Sequence, residues 1–283
     1  MLYTQEVLRI PKAIAVLISF VGVFTSMRLP LIIILAFISI SAAFEFFVYY
    51  TDPNEIKALD QAYFDNLYDC GVTELILGGF SVSSTGEVRN TFDDEDQLRM
   101  ARKAADNHTA RVSFMVTSVP FIDNIGAYAT FMKSVNSVLE KYSLDGVNFD
   151  WEFPSSHAEW VKYRDLLSLT KSFVGRKGKS AYVTVAVGGA YSLYKDIDLC
   201  GPIDMCLWMG YDNHNDPKGQ SNIPWVKRMV NQWVSRDLSP KAFGLGVPLY
   251  GENRNGTQMR YSQLVANGAD PKVSRTVTLH ASR

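Results

Sequence analysis

The chain of 283 residues is 47% hydrophobic and 20% charged, with 28 basic against 29 acidic side chains and a net charge of −1. That composition excludes an intrinsically disordered chain and gives no electrostatic ground for a nucleic-acid partner. Three cysteines, Cys70, Cys200 and Cys206, are too few for a disulfide scaffold and allow one disulfide at most. With no Cys-x-x-Cys or His-Glu-x-x-His pattern, neither a metal nor a cofactor is expected.

Charge is unevenly spread along the chain. Between Lys12 and Glu45 the only charged residue is Arg28, which separates two apolar runs, each shorter than the ~20 residues of a membrane span. The second run has the fuller pattern of a secretory signal. Met27-Arg28 is its basic start, Leu31 to Ile40 its apolar core, and Ser41-Ala42-Ala43 puts small residues at both recognition positions. Residues 1–43 therefore read as a signal peptide, or as an uncleaved anchor if Arg9 and Lys12 keep the N-terminus in the cytoplasm. Either reading sends the remainder into the secretory pathway, released after cleavage near Ala43 or held at a membrane. The sequons Asn107-His108-Thr109 and Asn255-Gly256-Thr257 fit that compartment.

From Phe44 onward, apolar β-branched or aromatic runs alternate with amphipathic stretches. Strands are predicted at Glu45–Tyr50, Glu74–Phe80, Arg111–Thr117, Gly146–Glu152, Tyr182–Val187, Met205–Tyr211 and Phe243–Pro248. Helices are predicted at Asn54–Tyr68, Asp94–Asn107, Ile125–Tyr142, Ala158–Val174 and Trp225–Ser235, the fourth with Leu166, Leu169 and Phe173 as its apolar stripe. Unbroken alternation predicts one α/β domain over 44–283 with a parallel sheet, either doubly wound or closed into a barrel. Nucleotide-binding signals are missing. No Gly-x-Gly-x-x-Gly opens a helix, and Gly178-Lys179-Ser180 has Phe173 where a phosphate loop needs glycine. The polar loop Asp212–Asp216 has Pro217 and Ile223 where a calcium loop needs glycine and an acid.

The informative stretch runs from Asp145 to Glu152, Asp-Gly-Val-Asn-Phe-Asp-Trp-Glu. On a strand, Asn148, Asp150 and Glu152 share one face while Val147, Phe149 and Trp151 share the other. Two carboxyls and an amide then point to the interior of the sheet, where ionisable groups cost several kcal/mol unless hydrogen-bonded or solvated. The bland explanation is a polar network that plugs a barrel end. Tyr211 taken alone is a core aromatic with a satisfied hydroxyl, and Trp225 either lines a cleft or anchors its helix.

This stretch resembles the Asp-Gly-x-Asp-x-Asp-x-Glu signature on barrel strand four of family 18 glycoside hydrolases, the chitinases and their relatives. Met209-Gly210-Tyr211-Asp212 is similar to the family's Met-x-Tyr-Asp after strand six, Gly244–Gly251 to its strand-seven segment, and Tyr49-Tyr50 to its opening strand. The resemblance implies a (β/α)8 TIM-type barrel with its site at the C-terminal strand ends. It also implies hydrolysis of β-1,4 N-acetylglucosamine linkages in chitin or chito-oligosaccharides. Glu152 would be the general acid, Asp150 would orient the acetamide and stabilise an oxazolinium intermediate, and the Tyr211 hydroxyl would bond the acetamide oxygen. Asp212, Met209, Asn148 and Tyr50 would contact substrate. No second carboxylate serves as nucleophile, because the substrate's own acetamido oxygen attacks.

Three departures from the family pattern stand out. Asn148 replaces the middle aspartate; an amide can donate to Asp150 but cannot exchange a proton, so Asp150 is expected to stay ionised and turnover to fall. Val116-Thr117-Ser118-Val119 stands nearest the family's Ser-x-Gly-Gly. After strand seven, Thr276–Leu279 offers only a stub, and no tryptophan follows Trp233, so the barrel is expected to be truncated before strand eight. A saccharide-binding protein without catalysis, or an anchored scaffold, are the competing readings.

Overall fold

The computed structural model describes residues 45–51, 59–92, 95–188, 191–214, 216, 219–234, 243–252 and 257–270. The signal or anchor segment, the start of the first predicted helix, Asn255 and the Thr276–Leu279 stub lie outside these residues. No described helix is long and apolar enough to cross a membrane.

Seven parallel strands form one sheet in chain order: β1 (Phe47–Tyr50), β2 (Glu74–Leu77), β3 (Arg111–Val116), β4 (Gly146–Phe149), β5 (Tyr182–Val187), β6 (Met205–Met209) and β7 (Phe243–Gly246). Sequential neighbours paired in parallel are what helical crossovers of one hand produce. The crossovers include α1 (Gln61–Asp69), α2 (Asp96–His108), α3 (Gly126–Tyr142), α4 (His157–Phe173) and α5 (Ile223–Val234). Local chemistry sets their ends. Asp60 caps α1 by accepting from the Tyr63 amide at 2.8 Å. Ser156 caps α4 by accepting from the Glu159 amide at 3.2 Å, and α2 and α3 stop at Thr109 and Ser143, both at positive φ.

All the strands but β5 are shorter than predicted, β2 and β4 by the most, three residues each. β2 ends at Leu77 because Gly78-Gly79 turns the chain, with Gly79 at φ 85°, into a hairpin of Phe80–Val82 with Val88–Asn90. A Cβ on Gly78 would lie 2.4 Å from the Thr51 carbonyl oxygen. β4 ends at Phe149, so Asp150 and Glu152 stand beyond the strand, although the Asp150 amide still donates to Val116 O at 2.8 Å. In α4, Trp160, Tyr163, Leu166, Leu167 and Thr170 are buried, whereas Leu169 is 37% and Phe173 68% exposed. The buried set follows helical spacing from Trp160, and the predicted Leu169 and Phe173 fall off its face.

The sheet is curled. Phe47 and Tyr49 of β1 pack with Ile76, Met115 and, from the far side of the sheet, Met205 and Leu207 of β6. Contact between strands that distant in sheet order requires the inner face to close on itself, as in the (β/α)8 barrel expected. Among the described residues no eighth strand joins β7. The larger core lies outside, between sheet and helices. There Trp208 packs on Trp225 with ring centroids 5.3 Å apart, which makes Trp225 an anchor for α5.

A polar network does plug the barrel, at the end opposite the signature carboxyls. Arg111 donates to Glu74 at 2.8 Å and to Glu45 at 3.0 Å, Ser113 donates to Glu74 at 2.5 Å, and Tyr182 donates to Glu45 at 2.8 Å. Gly146 makes room for it, since a Cβ there would meet Ser113 Oγ at 2.5 Å and the Tyr182 carbonyl oxygen at 2.2 Å. Cys200 and Cys206 form a disulfide and Cys70 is a free, exposed thiol, in keeping with the limit of one disulfide.

The outer core makes a direct stability prediction. Phe131 is fully buried on α3, 4.9 Å from the Phe121 ring and 6.0 Å from that of Phe149 behind the signature strand. Phe131→Ala is expected to lower unfolding free energy by about 3–5 kcal/mol in urea denaturation, at unchanged m-value.

Candidate active site

β4 delivers its side chains to two environments. Val147 and Phe149 are fully buried in the outer core. Asn148, also fully buried, faces inward, where its Nδ2 donates to Tyr49 Oη at 3.0 Å and to Thr184 Oγ1 at 2.7 Å. Both amide hydrogens are thereby committed. Asn148 Oδ1 and Asp150 Oδ1 are each buried without a hydrogen-bond partner. The expected donation from Asn148 to Asp150 is therefore not made, and Asp150 has no amide holding it in its charged form. Opposite Asn148 in register stands Met115, a buried thioether.

Protonation follows from this geometry. Burial pushes the Asp150 carboxyl up from 3.8 to about 7, and the nearby Glu152 charge adds to the rise. The expectation that Asp150 stays ionised is corrected accordingly: close to neutrality it holds its proton about half the time. Glu152, farther out at the mouth, is raised above its ordinary value by partial burial and then by the charge of Asp212. A carboxyl raised in this way is suited to donating a proton near neutral pH.

The segment after β6 supplies the other wall. Burial, then the charges of Asp150, Asp212 and Glu152, push the Tyr211 phenol up, so it remains a hydrogen-bond donor. Gly246 on β7 lets that ring approach, since a Cβ there would lie 3.1 Å from Tyr211 Cε1. Asp212 is exposed and left-handed at φ 60°, with its amide donating to Gln220 Oε1 at 3.2 Å and its Oδ1 accepting from Tyr250 Oη at 2.5 Å. Tyr211 and Tyr250 meet edge to face at 6.1 Å. Met209 packs at Gly188, where a Cβ would fall 2.8 Å from its Cε.

The predicted set is thus partly assembled. Asn148, Asp150, Glu152, Tyr211 and Asp212 gather at the C-terminal ends of β4 and β6, with Met209 lining the floor beside Gly188. Tyr50 is elsewhere: it faces the helices, with its hydroxyl bonded to that of Tyr63 and the two rings 6.2 Å apart. Its neighbour Tyr49 faces the column instead, and its hydroxyl is driven well above its ordinary pKa by burial, then by Asp150 and Tyr211. Strand alternation offered the signal, because Phe47 and Tyr49 are the residues of β1 that share a face. Tyr250, bonded to Asp212, was missed because it belongs to a short antiparallel pair, Tyr250–Glu252 with Gln258–Arg260, that no periodicity announces.

The unpaired burial of Asp150 makes the folded state proton-hungry. Its folded value exceeds the unfolded one, so stability is fullest below about pH 4 and falls as pH rises through about 7, by up to roughly 4 kcal/mol. Asp150→Asn removes that dependence. Its stability relative to the parent, read from urea denaturation, is expected to improve by roughly 2–4 kcal/mol between about pH 4 and pH 8. A difference that does not change with pH would mean that Asp150 is not held protonated.

Comparison with known proteins bears on this site. Glycosyl hydrolases family 18 matches residues 33–278. An endochitinase of Manduca sexta is 27% identical over 176 residues, which cover 50% of this chain and 32% of the relative, so the chain spans about a third of that protein's length. A chitinase of Rhizomucor miehei shares the fold with a TM-score of 0.64 at 18% identity, over 83% of this chain and 84% of that one. A class V chitinase of Nicotiana tobaccum, solved in complex with NAG4, does so at 0.61 and 14% identity, over 78% and 79%. With the family matching from the second apolar run to beyond β7, and with its carboxyl column at the barrel mouth, the chain belongs to glycosyl hydrolases family 18.

Proposed function

We propose that the protein hydrolyses β-1,4 linkages between N-acetylglucosamine units of chitin or chito-oligosaccharides, by a retaining reaction assisted by the substrate's acetamide. The observation that carries this reading is the pairing of a raised, outward Glu152 with an inner, raised Asp150 at the C-terminal lip of the barrel. Glu152 gives its proton to the glycosidic oxygen as that bond breaks. The acetamido oxygen attacks the anomeric carbon, and Asp150, as carboxylate, accepts from the acetamide N–H while positive charge develops on the oxazolinium. Tyr211 donates to the acetamide oxygen and aligns it. Water then adds to the anomeric carbon, giving its proton back to Glu152, and the acetamide is restored with net retention.

One observation favours a second reading, a saccharide-binding protein without turnover. Asn148 spends both its donors on Tyr49 and Thr184, so Asp150 must bind substrate with no partner to hold its charge. An aspartate at 148 accepts from those two hydroxyls and, when protonated, donates to Asp150. Secretion or membrane attachment through residues 1–43 belongs to the same proposal; an oxidised Cys200–Cys206 pair suits an oxidising compartment.

Turnover of a chromogenic N-acetylglucosamine oligomer separates the readings. Glu152→Gln is expected to lower kcat by about 10²–10⁴-fold with KM little changed, and Asn148→Asp to raise kcat by about tenfold. No turnover in the parent or in Asn148→Asp, with oligomer binding retained, would overturn hydrolysis in favour of binding.

A further inference from the structure

Beside the site stands a group of side chains that the proposed reaction uses only in part. Asp212 and His214 follow β6 in one loop, and Glu252 ends the short strand Tyr250–Glu252. One ligand-capable atom from each lies within 4.8 Å of the others. Among the described residues this is the one group of three His, Cys, Asp or Glu side chains so placed. Adjacent ligands of a tetrahedral zinc, with bonds of ~2.0–2.1 Å, are about 3.4 Å apart, so closure needs only side-chain rotation.

A second observation concerns Glu252. Its side chain is only 8% exposed, Oε1 lies 2.8 Å from His214 Nδ1, and Oε2 is buried without a hydrogen-bond partner. A carboxylate oxygen removed from water with no donor is costly, and a cation between the three groups supplies the missing positive charge. Asp212 is already aimed. Its left-handed backbone is pinned by Gln220, and the Tyr250 hydroxyl orients its Oδ1. Tyr250 thus acts as an outer-shell donor to a metal-binding carboxylate.

We propose that Asp212, His214 and Glu252 form a binding site for a zinc-class divalent cation at the rim of the active-site cleft. An imidazole with two carboxylates suits zinc and its first-row neighbours, whereas calcium and magnesium prefer all-oxygen shells. The sequence concealed the site because its ligands come from two segments far apart in the chain and match no short zinc motif. On entry the ion takes the place of the contact between His214 Nδ1 and Glu252 Oε1. The consequence for catalysis rests on the hydrolase reading: Asp212 cannot serve the ion and the sugar alike, so zinc opposes saccharide binding and saccharide opposes zinc.

Isothermal titration calorimetry of the full chain with zinc chloride at about pH 7.5 tests the site without relying on activity. The parent is expected to bind one equivalent that is lost or weakened at least tenfold in His214→Ala and in Glu252→Gln, and kept in His157→Ala, which alters the exposed His157–Asp196 pair. His214 is exposed, so its variant retains the fold, which circular dichroism checks. No binding in the parent, or equal binding in His214→Ala, overturns the proposal. Zinc binding by a chain that turns over no saccharide supports it while removing the hydrolase reading. If chito-oligosaccharide and zinc bind the parent without mutual weakening, the placement of Asp212 in the site is wrong.

Discussion

Carboxyl groups inside a barrel must find either a partner or a proton, and that constraint organises this molecule from one end to the other. At the lower end Glu74 meets it with Arg111 and Ser113, a fully buried acid held by a guanidinium and a hydroxyl. Glu45 and Tyr182 extend the same network and tie the start of the chain's first strand to the fifth. At the upper end Asp150 has no such partner, and burial answers by raising its pKa. Burial raises Glu74 as well, from 4.5 to about 7 in spite of those partners, so the two acids share the direction of their shift and differ in whether a partner opposes it.

Asn148 decides how that upper carboxyl behaves. An amide has the shape of a carboxyl but only two hydrogens to give, and here Tyr49 and Thr184 take them both. Its position next to Met115 turns the middle of the barrel into a largely apolar layer, with Ile76, Leu207 and Met205 around it. That layer is well suited to packing and poorly suited to passing protons. Family membership is settled by the match across most of the chain, while the proton economy of the site depends on a few side chains that this chain has exchanged.

Much of this was legible in the residues. Alternation in Val147 to Glu152 correctly separated an outer apolar face from an inner polar one, because the period of a strand is insensitive to what surrounds it. The parallel sheet and its helices were readable for the same reason, as was the general place of Tyr211 after its strand. Ends were less so: β2 stops at Gly78-Gly79 and β4 at Phe149, where turn geometry overrides a continuing apolar pattern. The face of β1 was misassigned at Tyr50 by a motif that names two adjacent tyrosines, though only Tyr49 can point inward when Phe47 does. Hydrogen-bond saturation of Asn148, the Glu74 network and the Asp212–His214–Glu252 cluster depend on residues tens of positions apart. No local pattern encodes them.

Asp150, buried and unaided by Asn148, is expected to share a proton with solvent near neutrality. Carbon-13 carboxyl NMR of an aspartate-labelled chain, with the Asp150 resonance assigned by its loss in Asp150→Asn, measures this directly. A titration midpoint near 7 is expected. A midpoint near the ordinary aspartate value of about 4 would contradict it, and would mean that some group supplies Asp150 with the partner it lacks here.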